Sequence, residues 1–503
     1  MTCSPYCARL WIRLVSGRPG RKYSPMSLDQ KYCKNPQLGT VHKVPAPRAG
    51  RGLQPPFREI VLGTEEPATI PASTPVLYAI ILINVVVYII TSYRTMFTQT
   101  TMDWISRLGF VPAEFLVKPE YFYKIFTAMF THADIFHIFF NMYFLYIFGR
   151  AVERTLGSAR FAALYLIGGV FAAIFHTVFT YLQSPAGLAI PSVGASGAIS
   201  AVLGAYMVMY PGSRLAACFF IFLFPVCFEM LAAYYLLFWF AIQVLEGYFA
   251  LNSQIAFFAH AGGFLAGIAL LPIVADRSRI RMLQLLRTPV LFGGILRFIP
   301  WRYKGLSPAA KTLFASLALI VLGGSIVSYM MFTTSPALLA GYNIAWRIPE
   351  ASLSGTDRFY LIAPQGAPPI PVVETTASIP GRIVALTLKD MGALTKSTPI
   401  LQQPLILRIP LSFYSYATVY VIPLEVRVSY TSNGLLEKAE LAELVQSHIL
   451  GRFHLGASVN IIGEANASSI LRYLTLATIV VTLASLYIVM YRDADFVIAP
   501  ELV

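Results

Sequence analysis

Charge is scarce in this chain. Only 12% of its 503 residues are Asp, Glu, Lys or Arg, against about 25% in soluble domains, and 56% are hydrophobic. That balance excludes an ordinary soluble globular protein. With apolar runs of about twenty residues, it describes a polytopic membrane protein. Acid is scarcer than base: 24 Asp and Glu face 38 Lys and Arg, a formal charge of +14. In a membrane protein such an excess belongs to loops on one side of the bilayer, not to nucleic-acid binding. Cysteine is sparse too. Cys3, Cys7, Cys33, Cys218 and Cys227 are the whole set, and the long polar segment near the C-terminus has none. No disulfide framework is readable, and beyond the weak Cys3/Cys7 pair no Cys/His cluster has zinc spacing. The N-terminal stretch lacks the short apolar run and small-residue cleavage site of a secretory signal. It is basic and acid-poor, as a mitochondrial transit peptide would be, but its composition reads first as a disordered cytoplasmic tail. Met26 is a second candidate start.

What is present is a succession of apolar runs. Eight spans are predicted: Pro75–Ser92, Ile135–Arg150, Phe161–Leu182, Val193–Tyr210, Met230–Leu251, Ala256–Val274, Leu313–Met331 and Ile470–Met490. The stretch around Trp104, Phe110 and Phe115 is amphipathic and suits the membrane interface. "CFFIFLFPVCF" reads as an interfacial hairpin or a helix start, broken at Pro225. Arg150, Arg154, Arg160, Arg214 and the Arg-rich linker after the sixth span fall on one side by parity, while the loops at 184–192 and 252–254 carry no Lys or Arg. Both termini are then expected on the cytoplasmic side of the cell membrane, and 334–468 on the outer side.

That outer segment reads as folded. "QQPLILRIPLSFYSYATVYVIPLEVRVSYTSNG" alternates β-branched and aromatic residues up to a turn. "LLEKAELAELVQSHILGRF" reads as an amphipathic helix. The segment is therefore expected to be a small α+β domain that folds separately and either influences which substrates arrive or serves stability or assembly. Asn466-Ala467-Ser468 is a glycosylation sequon beside the membrane.

Ionisable and polar groups inside spans are costly and are functional candidates by default. "PSVGASGAISAVLGAY" places Ser196 a few residues into the fourth span. "IAFFAHAGGFLAG" places His260 near the start of the sixth. "THADIFHIFFNMYF" places His137 and Asn141 near the start of the second. At 1.5 Å per residue all lie within about 10 Å of the outer surface. Ser196, Ser200 and Gly204 share a helical face with Gly197; His260, Gly263 and Gly267 share another. Small residues on both faces let the helices approach closely, close enough for an imidazole to reach a serine oxygen. His137 and Asn141, four apart, could aim two donors at one point. Taken singly, each feature has a plain alternative: helix packing, a serine bonded to its own helix, a satisfied core histidine. Their shared depth argues for a site. No carboxylate has clear triad spacing; Asp134, near the mouth of the second span, and Glu246, near the outer end of the fifth, are the candidates for an orienter of His260.

"GASG" with "GAY" after it, "AHAGGFLAG", and "HIFFNMYFLYIFGRAVERTLGSARF" resemble the motifs of the rhomboid family of intramembrane serine proteases over about residues 75 to 275. The resemblance implies Ser196 as nucleophile and His260 as general base, with the Ser196 backbone N–H, His137 and Asn141 holding the oxyanion. It implies supporting roles for His132, Glu153, Gly194, Gly197, Gly204, Gly263 and Gly267. Tyr123-Lys124 stands where the family commonly has Trp-Arg. Ser200 stands where an aromatic often supports the histidine ring, so another side chain must orient His260.

The expected fold is thus an all-α polytopic membrane protein: a six-helix rhomboid-like bundle with two additional transmembrane helices and a small extracytoplasmic α+β domain. The expected divisions are a tail (1–71), the six-span core (72–275), a basic linker (276–311), the seventh helix (312–333), the outer domain (334–468), the eighth helix (469–491) and a tail (492–503). The expected chemistry is peptide-bond hydrolysis in transmembrane protein substrates within the lipid bilayer, with no cofactor, no metal and no nucleic acid. The competing readings are an inactive rhomboid-like protein that binds transmembrane clients, and a transporter using a histidine proton relay.

Overall fold

A computed structural model describes residues 33–34, 41–42, 73–221, 224–249, 255–287, 305–365, 369–374, 376–412 and 415–498. Most of the 1–71 tail, the middle of the basic linker and the last residues of the C-terminal tail lie outside that set, as does the alternative start at Met26. By itself, the unit 1–58 shows one antiparallel pairing, β1 (Cys33–Lys34) with β2 (Val41–His42).

Residues 59–503 form the other unit. Its helices begin with α1 (Pro75–Ser92), α2 (Met102–Leu108), α3 (Pro112–Val117) and α4 (Tyr123–Phe130). Then come α5 (Ile135–Leu156), α6 (Ser158–Gln183) and α7 (Ser196–Met209). The hairpin β3 (Arg214–Ile221) and β4 (Phe224–Leu231) leads into α8 (Ala232–Phe249), α9 (Phe257–Val274) and α10 (Arg277–Arg287). The 214–231 stretch is thus a β-hairpin, with Pro225 inside its second strand.

Among the described residues, seven helices are long and apolar enough to cross a membrane: α1, α5, α6, α8, α9, α11 (Pro308–Thr334) and α13 (Ala467–Tyr487). The chain is a polytopic membrane protein. Helix α7 has only 14 residues, about 21 Å at 1.5 Å per residue, short of the ~30 Å hydrocarbon core. Its start can therefore lie below the membrane surface, where non-helical chain is tolerated only inside protein. The preceding segment meets that condition. Ser192 exchanges backbone hydrogen bonds with Phe110 (2.9 and 2.8 Å), and the Gly194 N–H donates to the Ala128 carbonyl at 2.9 Å.

Side chains finish several helix ends. Asp134 caps α5 by accepting from the Phe136 and His137 N–H groups, both at 2.9 Å. Buried Glu153 caps α1 from another helix, accepting from Val76 N (3.1 Å), Leu77 N (2.7 Å) and Ser158 Oγ (2.7 Å). This gives Glu153 a structural task, because it satisfies N–H groups that a helix start leaves open. The sequon residues are also engaged: Asn466 Oδ1 accepts from Ser469 N at 3.0 Å, and Ser468 Oγ from Ala337 N at 2.8 Å.

Between α11 and α13, where a small α+β domain is expected, the chain forms a large sheet with one helix. An antiparallel seven-stranded sheet runs in the order β7-β6-β5-β11-β10-β9-β8. Its strands are β5 (Ala337–Ile348), β6 (Leu353–Pro364), β7 (Ile370–Val373), β8 (Leu405–Ser412), β9 (Ser415–Tyr430), β10 (Leu436–Ser447) and β11 (Gly451–Asn466). One helix, α12 (Ile379–Asp390), packs on it. The helix expected over 435–453 is instead strand β10 and the start of β11. Leu, Glu, Lys and Ala favour helix locally, but β10 sits between two long strands, and pairing on both edges overrides that preference. Its buried positions include Ala439, Leu441, Glu443 and Val445 at every second residue. The sheet has its own apolar core, including Tyr342, Phe359, Leu388 and Val459.

Neighbouring strands β5 and β11 run directly into α11 and α13, which pack together; Thr478 Oγ1 donates to Ser325 Oγ at 3.0 Å. The sheet also touches α3 and the turn Pro185–Ala189, so it lies at the Ser196 end of the bundle. Arg358 of β6 pairs with buried Glu114 of α3, which also takes a 2.6 Å bond from Lys124 Nζ. Lys124, on the Tyr123-Lys124 pair, therefore serves this ionic knot.

Candidate active site

Helices α7 and α9 meet through their glycines. A Cβ at Gly263 would collide with the Gly197 carbonyl oxygen, one at Gly267 with the Ala201 carbonyl, and one at Gly204 with the Phe264 carbonyl. Only hydrogen side chains allow this approach. It sets the first turn of α7 beside the first turn of α9, and Ser196 Oγ lies 2.8 Å from His260 Nε2.

The other face of the imidazole is held as well. His260 Nδ1 lies 2.8 Å from Gln243 Oε1 of α8, and the Trp239 ring lies beside the His260 ring with centroids 6.1 Å apart. These are the groups that supply what Ser200 does not. The Ser200 hydroxyl donates back to the Ser196 carbonyl at 2.6 Å. Gln243 escaped sequence reasoning. Its signal was modest: a buried amide amid apolar neighbours in "LLFWFAIQVLEGYF". Asp134 is a helix cap, and Glu246 is exposed; the Nδ1 partner is an amide.

His137 approaches Ser196 from α5. Its Nδ1 accepts from the Ala133 N–H at 3.4 Å, which leaves the proton on Nε2 in the neutral ring. A Cβ built on Gly194 would meet His137 Nε2 at 2.7 Å and Ser196 Oγ at 3.7 Å. Gly194 also has φ +119°, a backbone region that glycine alone enters freely. The empty Cβ position therefore lies between a ring N–H and the serine oxygen. The Ser196 N–H, at the first position of α7, has no partner within its helix.

Asn141 behaves differently: its Nδ2 donates to the His137 carbonyl at 2.8 Å, steadying the helix turn that carries His137. His132 Nε2 accepts from the Ala195 N–H at 3.4 Å, holding the turn before Ser196. Burial, followed by the neighbouring His137, pushes the His132 pKa down to about 3, so this ring is a neutral acceptor at physiological pH. The structure thus brings Ser196, His260, His137, Gly194 and Gln243 together. It places Asn141 and His132 one bond away, the α7 and α9 glycines at the helix contact, and Glu153 at the far end of the bundle.

Comparison with known proteins relates part of the chain to one family. Residues 119–277 match the family model of the Rhomboid domain. The chain is 33% identical over 169 residues to RHOMBOID-like protein 12, mitochondrial, of Arabidopsis thaliana, covering 31% of this chain and 48% of that protein. It is 39% identical over 92 residues to the presenilin-associated rhomboid-like protein, mitochondrial, of Bos taurus, covering 18% and 24%. It is 33% identical over 105 residues to Rhomboid protein 1, mitochondrial, of Saccharomyces cerevisiae, covering 20% and 28%. The chain spans about half the length of these curated relatives, or less. The matched region runs from α4 through α9 and contains Ser196, His260, His137 and Gln243, and over those residues the chain carries a Rhomboid domain.

Proposed function

We propose that this chain is an intramembrane serine endopeptidase that hydrolyses peptide bonds in or near transmembrane segments of other membrane proteins. The observation that carries the reading is the 2.8 Å contact between Ser196 Oγ and His260 Nε2 at the recessed start of α7. As Ser196 attacks the scissile carbonyl, His260 takes its proton. Negative charge develops on the carbonyl oxygen, for which the Ser196 N–H and the His137 Nε2–H are the proposed donors. His260 returns the proton to the leaving amine, and water then resolves the acyl-enzyme by the same steps. A substrate helix hides its carbonyls in hydrogen bonds, so the favoured substrate unwinds near the Ser196 side of the membrane. By family resemblance, it carries small residues beside the cut bond.

The membrane we propose is mitochondrial rather than the cell membrane. Three relatives carry that description in their names, and the N-terminal stretch of this chain is basic and acid-poor. We place the sheet domain opposite the basic loops, with a role in which substrates reach Ser196. The reaction is tested with purified protein in liposomes and a panel of transmembrane substrates. Wild type should cut at least one. Ser196→Ala and His260→Ala should each abolish cleavage while keeping the wild-type melting profile, and EDTA should leave the rate unchanged. Cleavage above a tenth of wild type in either variant would remove the pair from the mechanism. Substrate capture without cleavage by wild type would mark a client-binding protein.

A further inference from the structure

We propose that Gln243 is the positioning residue of the base: its amide oxygen fixes His260 in the Nδ1–H tautomer and so presents a bare Nε2 to the Ser196 hydroxyl. The proposal rests on the proteolytic reading for its consequence, but not for its geometry. Gln243 is buried on α8, and both ends of its amide have partners. Its Nε2 faces the Trp239 carbonyl at 3.4 Å, and its Oε1 faces His260 Nδ1 at 2.8 Å. A carbonyl oxygen can only accept, so the NH2 end belongs toward Trp239 and the oxygen end toward His260. An amide oxygen also only accepts, so the proton sits on Nδ1. Nε2 then carries the lone pair, and the Ser196 Oγ–H donates to it across 2.8 Å. One polarity runs from a backbone carbonyl of α8 through two side chains to the nucleophile.

The plain alternative is a glutamine satisfied by its own helix. The 3.4 Å contact to Trp239 satisfies only one end, and that role needs nothing at Nδ1. Among the described residues, no other side chain is hydrogen-bonded to Nδ1. Ser200, on the facing helix, spends its hydroxyl on the Ser196 carbonyl. Trp239 lies tilted beside the ring, at 33° to it, and cannot select a tautomer. The titratable groups acting on His260 from the packed helices are His137 of α5 and His176 of α6, with no carboxylate among them. The Nδ1 partner is therefore neutral: it orients the ring without placing a counter-charge beside the imidazolium that forms.

This neutrality makes the role testable. In Gln243→Leu the ring is free to take the other tautomer, and kcat should fall tenfold or more with KM within about threefold of wild type. In Gln243→Glu an acceptor is restored with a negative charge. The acid limb of the kcat profile should move up by about 1 to 3 pH units, with much of the rate recovered above it. A purely structural glutamine predicts otherwise: both variants melt early, Glu fares worse than Leu, and the limb of the residual activity stays in place. A wild-type rate in Gln243→Leu, or an unshifted limb in Gln243→Glu, would overturn the proposal. A second readout is independent of proteolysis. Nitrogen-15 NMR of histidine-labelled protein in liposomes should show His260, assigned by its loss in His260→Ala, as the Nδ1–H tautomer in wild type and not in Gln243→Leu. An Nε2–H signal in wild type would end the proposal even if no substrate is ever cut. A wild type with that Nδ1–H signal but no cleavage would instead count against the proteolytic reading alone.

Discussion

Gly194 carries two constraints in one residue. Its positive φ turns the chain into α7, and its missing Cβ leaves the space between His137 Nε2 and Ser196 Oγ. An oxyanion formed beside Ser196 would therefore meet His137 before Asn141, whose amide donates to the His137 carbonyl. This sets an order. His137→Ala should lower kcat by about 10²- to 10³-fold, the usual worth of one oxyanion donor, and Asn141→Ala should cost less. Steady-state kinetics of both variants checks this; a larger loss in Asn141→Ala would reassign the donor. Ser196, His260 and His137 were legible in the sequence because a polar residue stands out in an apolar span, and the glycine faces said which helices approach. Gln243 was not. An amide on one more apolar helix carries no sign of which neighbour it meets, and the packing of α8 against α9 cannot be read from either sequence alone. Asn141 shows the converse. Its i, i+4 spacing from His137 is equally suited to a shared target and to a bond with the preceding turn, and the structure has the bond.

Among the elements, the apolar helices were readable because about twenty apolar residues in lipid have one favourable conformation. Strand β10 was misread because its composition suits a helix, and what holds it extended is antiparallel pairing with β9 and β11 on its two edges, which local composition does not express. The alternation was present, but it places a carboxyl, Glu443, on the buried face. Neither Glu443 oxygen has a hydrogen-bond partner; the Thr387 hydroxyl of α12 is close but outside bonding geometry. Burial pushes this carboxyl up to about 8 from an ordinary 4.5. The unfolded chain releases its proton above about pH 4.5 while the folded sheet keeps it to about pH 8. Between those limits the folded state binds more protons, so stability falls as pH rises, by an amount on the order of a few kcal/mol. Glu443→Gln should remove that slope and melt higher than wild type at pH 8. Thermal melts of the full chain at pH 5.5 and pH 8 decide it, and parallel slopes in the two proteins would contradict it.

At the scale of the whole molecule, the sheet is tied to the bundle at several levels. Its central strands continue into α11 and α13, Ser485 Oγ of α13 donates to the Leu265 carbonyl of α9 at 2.7 Å, and the Ile498 N–H donates to the Met209 carbonyl at the end of α7 at 2.6 Å. The Arg358–Glu114–Lys124 knot joins it to α3, two residues beyond the Phe110–Ser192 pairing that leads to Ser196. None of this tertiary docking was visible in the sequence, where 334–468 read as a segment folding by itself. Arg358→Ala should loosen the dock at a cost of about 1 kcal/mol, a small figure because the arginine is about one-third exposed while Lys124 still neutralises Glu114. Hydrogen exchange should rise over 112–117 and 337–364, while cleavage of a short generic transmembrane peptide stays within about threefold of wild type. Unchanged exchange would show that the dock does not depend on the pair, and loss of generic cleavage would make the sheet part of catalysis.

A Ser196 nucleophile activated by His260 is tested most directly by covalent capture. Purified protein in liposomes is treated with a fluorophosphonate, digested, and read by mass spectrometry. The predicted result is a single phosphonyl adduct on the peptide containing Ser196, absent in Ser196→Ala and strongly reduced in His260→Ala. No adduct on folded wild-type protein, or an adduct of equal yield in His260→Ala, would contradict it.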